Sequence, residues 1–447
     1  MNRRAKTIGR IYGRGEDGYE AARRETMWNQ RLPDRFPDLI VQANDVHDVC
    51  SAVRLAKRHG MRIGVRSGGH SWSGNHVRDG GMLIDVSRLD EVWIDKKNLR
   101  ATTGPGRQGH ELAHLLSKQG LFFPAGHCRG VAVGGYLLQG GYGWHSRVLG
   151  PACMSVDGID VVTADGEVVH ASVDENADLY WAARGAGPGF FSIVTRFHLR
   201  LYPRPKVIGF AAQTFAIDKL EPVFRWLHAV GPEVPGGIEL QALMSRHTIG
   251  VRGAGFTVVA PVFTDSWKQA WHLLKFFNQS PVRKLSRIRL PFLPFGLGPM
   301  YSGVSSHYPD GHRYAVDNMW TGAGIDDLLP GLERIAATMP DAPSHMLWMN
   351  WAPPPDRPDM AYSMEDNTYI ALYSVWKNAD DDAKFDSWPV ESIRAMEHLA
   401  SGCQLADENL GQRPARFVRD ENLQRLDRVR AKYDPNQCFH SWMGRPQ

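Results

Sequence analysis

The chain has 447 residues, 43% of them apolar and 22% charged, with a net charge of only +4. That is length for two or three domains with a sizeable core, in an ordinary globular balance. The basic residues are scattered and no run is long and apolar enough to span a bilayer, so neither nucleic acid nor a membrane is an expected partner.

Cys50, Cys128, Cys153, Cys403 and Cys438 are widely spaced, odd in number and without a CxxC pair, which argues against a disulfide framework or structural zinc and for a reducing cytoplasm. The start Met1-Asn2-Arg3-Arg4-Ala5-Lys6 is basic like a signal peptide, but no apolar stretch follows it.

Residues 37–70 read as strand, helix, strand. Leu39, Ile40 and Val41 form an apolar run; Asn44 or Asp45 can cap a helix with Val46, Val49, Cys50 and Val53 at helical spacing; Lys57-Arg58-His59-Gly60 ends it with cations and a glycine. The strand Arg62-Ile63-Gly64-Val65 leads into Arg66-Ser67-Gly68-Gly69-His70-Ser71, a loop whose backbone N–H groups can cradle a pyrophosphate. His70 leaves that loop beside whatever is bound, although a histidine alone is more often an ordinary hydrogen-bonding residue.

Two further strands are predicted over 82–86 and 100–103, then a helix over 108–119. Residues 126–143 hold seven glycines around Cys128. So little side chain leaves either a surface loop or backbone lying close against a large, polar ligand, and the recurrence of glycine around a cysteine favours the ligand. An Asp165-Gly166 turn predicts a hairpin between strands 159–163 and 167–170, and 191–201 alternates as a long strand with one apolar face.

Pro203-Arg204-Pro205 is the expected domain boundary. Beyond it, residues 206–400 mix strands, such as 256–259 and 368–376, with helices, such as 266–277, and carry Trp320, Trp348, Trp351 and Trp376, read first as core. No metal-spacing cluster or Ser-His-Asp signature stands out there. A helix over 422–433 closes the chain.

Taken together, RSGGH, then GHCxxVxVGG with Cys128 falling 58 residues after His70, and GGYG resemble the FAD-linked oxidases of the berberine-bridge-enzyme-like group, in the vanillyl-alcohol-oxidase superfamily. Asp178-Leu179-Tyr180-Trp181-Ala182-Ala183-Arg184-Gly185 and Phe191-Ser192-Ile193-Val194-Thr195 match further runs of that family. The resemblance implies an α/β+α fold: a two-part PCMH-type FAD-binding domain made of residues 1–205 and the returning segment 401–447, with an inserted α+β substrate domain, 206–400, on a mainly antiparallel sheet.

It also implies FAD tethered twice, through His70 at the 8α-methyl and Cys128 at C6, with Arg66, Ser67, Gly68, Gly69, Ser71, Val131, Gly134, Gly135, Tyr136, Gly140, Gly143 and Ile193 around it. Imidazole and thiolate are both nucleophiles suited to an electron-poor ring. In relatives the residue three after the cysteine, here Val131, governs access of O2. The implied reaction is hydride transfer from an alcohol, phenolic or amine C–H of a small molecule to flavin N5, with O2 reduced to hydrogen peroxide, in a monomer or homodimer holding no metal. The alternatives are a dehydrogenase using another acceptor, or an electron-transfer subunit without a substrate.

Three positions depart from the family. Tyr136 stands where a histidine is usual, Leu372 where many relatives place a Glu or Gln base, and residues 402–406 lack the Tyr-x-Asn-Tyr pattern. The proton is therefore expected to fall to a tyrosine: Tyr373, Tyr369 or Tyr136.

Overall fold

The computed structural model describes residues 9–445, so the basic start at residues 1–6 lies outside it. The first sheet has the order β1-β2-β4-β3, from β1 (Arg10–Gly13), β2 (Leu39–Gln42), β3 (Ile63–Arg66) and β4 (Met82–Asp85). β4 lies parallel to both β2 and β3, and the β2–β3 crossover is the helix α2 (Val46–Arg58), which follows α1 (Tyr19–Glu25). Asp45 caps α2 by accepting from Asp48 N at 3.0 Å, and Val49, Ala52, Val53 and Ala56 form its buried stripe.

A second sheet, β5-β6-β10-β8-β9, joins β5 (Val92–Asp95), β6 (Arg100–Thr103), β8 (Val156–Val162), β9 (Val168–Ser172) and β10 (Ile193–Arg200), while β7 (Leu121–Phe122) pairs only with β11 (Tyr202–Pro203). The predicted Asp165-Gly166 hairpin is present, with Gly166 at φ +74°. β5 escaped the sequence reading because it is half-exposed: Trp93 stands 63% in solvent.

The glycine-rich stretch is not all loop. α3 (Gly109–Ser117) leads toward it, and α4 (Val133–Leu138) is helical within it, burying Tyr136 and Leu137. Those two side chains supply the core contacts that the glycine count seemed to deny.

The third sheet has seven strands, all antiparallel to their neighbours, in the order β15-β12-β14-β13-β17-β18-β16: β12 (Val207–Ala216), β13 (Gln241–Ser245), β14 (Gly255–Thr264), β15 (Ile288–Pro294), β16 (Arg313–Thr321), β17 (His345–Asn350) and β18 (Thr368–Trp376). Helices Leu220–Val230, Ile325–Thr338 and Trp388–Ala395 bury one face of it. The predicted helix over 266–277 is two pieces, Trp267–Leu273 and Lys275–Asn278.

The largest buried cluster among the described residues combines residues from Val41 to Leu201, a few such as Phe263 and Tyr301, and others from Cys403 to Trp442; the next largest runs from Val207 to Met396. The buried Arg413–Asp317 pair, with two hydrogen bonds of 2.7 Å, ties the returning segment to β16, and Asn29 ties the N-terminal region to Trp72 and Tyr314 carbonyls. All five cysteines are free, and among the described residues no helix is long and apolar enough to cross a membrane.

Candidate functional site

A cavity of about 720 Å³ lies where the glycine loops meet the seven-stranded sheet, with Met300 and Val304 of the helix Leu297–Ser305 also in its wall. The loop after β3 is fixed first. Arg66 makes two hydrogen bonds of 2.9 and 3.0 Å to Asp85, and Ser71 Oγ accepts from Asn75 N at 3.1 Å. Gly69 has φ +67°, and a Cβ there would sit 2.1 Å from the Thr26 carbonyl, so no other residue fits.

The two glycine loops touch directly. A Cβ on Gly68 would strike Ala132 at 2.7 Å, one on Gly134 would strike Ser67 Oγ at 2.6 Å, and Ser67 Oγ accepts from Gly135 N at 3.3 Å. Gly135 itself has nothing within 4 Å of where its Cβ would be, and it lines the cavity, leaving bare backbone for a ligand.

His70 and Cys128 share this cavity, and a Cβ on Gly130 would lie 3.6 Å from the His70 ring. His70 stacks on Trp28 with centroids 4.2 Å apart, and Trp28 Nε1 donates to Asp310 at 2.8 Å. Burial lowers the His70 pKa to about 4, so the imidazole is neutral, and its Nε2 has no partner. Burial also pushes the Cys128 thiol up to about 12, with the charge of Asp407 adding to the effect.

Ile63, Arg78, Phe439 and His440 also line the cavity, and neither ring nitrogen of His440 is paired. Burial and the cations Arg78, Arg62 and Arg430 hold that ring neutral, at about 3. A neutral imidazole and a buried thiol, stretches of open backbone and a cluster of cations in one cavity fit a flavin dinucleotide.

Val131 lines the cavity, and its carbonyl accepts from Gly109 N at 2.9 Å. Three residues expected at the cofactor do not line it. A Cβ on Gly140 would meet the Tyr362 ring at 2.6 Å and one on Gly143 the Ala125 carbonyl at 2.2 Å, so these glycines admit other protein segments, not a ligand. Ile193 is fully buried in β10, while the flanking Ser192 and Val194 reach the cavity.

Tyr136 lines the cavity, but its hydroxyl donates to the Pro124 carbonyl at 2.6 Å, and burial raises its pKa well above the usual value. Leu372 belongs to the core behind the sheet, on the face away from the cavity.

Tyr369 and Tyr373 do face the cavity, being four residues apart on β18. Both converge on a carboxylate that the sequence did not reveal, Asp407. Its Oδ2 accepts from Tyr369 at 2.5 Å and Tyr373 at 2.9 Å, and its Oδ1 accepts from Trp72 Nε1 at 2.7 Å. Burial raises Asp407 above the ordinary carboxylate range, against the pull of those three donors. Both phenols are raised far above 10 by burial and by the negative Asp407.

His345, opposite Tyr373 in the β17–β18 register, stacks on its ring at 4.7 Å and 19°. Its Nδ1 lies 2.9 Å from the Pro343 carbonyl, so Nδ1 carries the proton, and burial keeps the ring neutral at about 3. Neither Asp407 nor His345 has a motif around it. The only signal was the stretch before Asp407, where the family pattern is lost.

The sequence matches the FAD binding domain family over residues 37–172. It is 32% identical over 422 residues to the FAD-linked oxidoreductase nodO of Hypoxylon pulicicidum, covering 94% of this chain and 93% of that protein. Among solved structures, 6-hydroxy-D-nicotine oxidase from Arthrobacter nicotinovorans superimposes with a TM-score of 0.83 at 23% identity, covering 98% of each chain. Physcomitrella patens BBE-like 1 gives 0.83 at 21% identity, over 98% of this chain and 97% of that one. With its two glycine loops, its cavity and this full-length likeness, the chain belongs to the FAD-linked oxidoreductases.

Proposed function

We propose that this FAD-dependent oxidoreductase is an oxidase of a small alcohol, with the flavin held covalently by His70 and Cys128 and O2 as electron acceptor. The observation that carries the reading is Asp407, which accepts from both cavity-facing tyrosines beside Cys128. FAD held there would supply the acceptor for the substrate hydride, with O2 as the terminal oxidant and hydrogen peroxide as its product.

The residues supply the proton chemistry. A phenol whose pKa lies far above 10 is a poor base at neutral pH by itself. A hydroxyl that already donates to Asp407 still offers a lone pair. The substrate O–H therefore donates to Tyr373 Oη while the Tyr373 proton moves to Asp407, and the alcohol carbon is freed to release hydride. Asp407, raised toward neutrality, is the better terminal acceptor. Trp72, Tyr308 and Tyr373 pack against one another as an aromatic wall, which suits a substrate with an apolar or aromatic body.

The test is oxygen consumption and peroxide formation over a panel of primary alcohols, secondary alcohols and amines. Turnover restricted to alcohols with an apolar body, falling steeply in Asp407→Asn, is expected. Equal turnover by wild type and that variant, or flavin reduction by amines alone, would refute the reading.

A further inference from the structure

The second sheet carries a cluster that plays no part in the cavity. Asp160 on β8, His170 on β9 and His198 on β10 bring one ligand atom each within 4.8 Å of one another, the one such His/Cys/Asp/Glu trio among the described residues. His170 Nδ1 lies 2.7 Å and His198 Nε2 3.1 Å from the same oxygen, Asp160 Oδ1. We propose that these three side chains form a site for a divalent transition-metal ion of the zinc, cobalt or nickel type.

The backbone register builds it. Asp160 and His170 are directly opposed in the β8–β9 ladder, and His198 is opposed to Gly158 on the other side of β8. Gly158 makes the room, since a Cβ there would sit 3.1 Å from the His170 ring. Three adjacent strands thus hold three ligands with little freedom to lose, which is the preorganisation that an ion rewards.

Donor chemistry selects the ion. Two imidazoles and one carboxylate suit zinc, cobalt or nickel, whereas calcium and magnesium take oxygen ligands. A tetrahedral ion with bonds of about 2.0–2.2 Å keeps its ligand atoms roughly 3.3–3.6 Å apart, so the two nitrogens would draw back from Asp160 Oδ1 by about 0.2–0.9 Å. The side chains are 21–41% exposed, which lets water complete the coordination.

Thr102, opposite His198 on β6, places Oγ1 3.3 Å from His198 Nδ1. Accepting the Nδ1 proton there would leave Nε2 bare for the ion, the arrangement by which an outer partner orients a metal-binding histidine. Arg196, opposite Asp160 in the β8–β10 ladder and exposed, opposes a cation and sets the affinity below that of closed four-ligand sites.

The experiment uses the tag-free, full-length flavoprotein, stripped with a chelator and titrated with Zn²⁺ and Co²⁺ by calorimetry, visible absorption and thermal melting. One equivalent of either ion should bind, with a Co²⁺ absorption band and a rise in melting temperature. Asp160→Asn and His198→Ala should each abolish both at unchanged flavin content and activity, and Thr102→Val should weaken binding roughly tenfold. No binding at millimolar Zn²⁺, or an equivalent retained by the Asp160→Asn/His198→Ala double variant, would overturn the site and leave a plain His–Asp–His hydrogen-bond network.

Discussion

The hydroxyl of Tyr373 donates to Asp407 Oδ2 at 2.9 Å, so the strand that faces the substrate side of the cavity is joined to the returning C-terminal segment at a titratable group. Asp407 must be ionised to accept a proton, and its folded-state pKa is raised by burial. Activity should therefore fail, on the acid side, at a pH above the ordinary carboxylate range. Asp407→Asn should lower kcat by about 10²- to 10⁴-fold and remove that acid limb. A pH–rate profile of both proteins checks this. The same shift has a stability sign: the folded state keeps a proton that the unfolded chain has released, so the contribution of Asp407 is full below its unfolded pKa and is lost as pH rises through the raised one.

The two proposed flavin attachments, at His70 and at Cys128, can be tested separately. Acid-precipitated wild-type protein should stay yellow, with flavin on peptides containing His70 and Cys128. His70→Ala should keep flavin through Cys128 alone, and Cys128→Ala through His70 alone. Peptide mass spectrometry settles each case, and free FAD in the wild-type supernatant contradicts the double bond.

Val131 tests the acceptor. The two methyls of valine sit in a fixed rotamer, whereas leucine's longer stem can reach into the small space over a flavin ring. In stopped-flow mixing with oxygenated buffer, reduced wild type should reoxidise fast and Val131→Leu at least tenfold more slowly, with flavin reduction unchanged. Slow wild-type reoxidation beside rapid transfer to a quinone would make the enzyme a dehydrogenase.

Tyr136→Phe separates packing from catalysis. Losing the 2.6 Å bond to the Pro124 carbonyl should destabilise the protein by about 1–2 kcal/mol, seen as a lower melting temperature, with kcat within twofold of wild type. A large fall in kcat would return Tyr136 to the catalytic group.

The flavin half was legible because its signals are local. Asp45 and Gly60 bracket α2, Asp165-Gly166 turns a hairpin, and Gly69 answers a single positive φ. The substrate side was not, because its geometry is set by pairing between distant segments. Which face of β18 meets the cavity follows from its register with β16 and β17, and this separates Tyr373 from Leu372. Asp407 meets Trp72 across 335 residues of sequence, and nothing in Ala406-Asp407-Glu408 announces it. His170 and His198 looked like ordinary strand residues until two ladders aligned them with Asp160.

The first core is completed by residues 403–442, and the cavity wall includes Gln404, Asp407, Phe439 and His440 from that late segment. A ribosome still translating the seven-stranded sheet has already released His70 and Cys128, but those residues face a half-built chamber. Flavin capture is therefore an event of the finished polypeptide, and nascent chains stalled before residue 403 should emerge colourless.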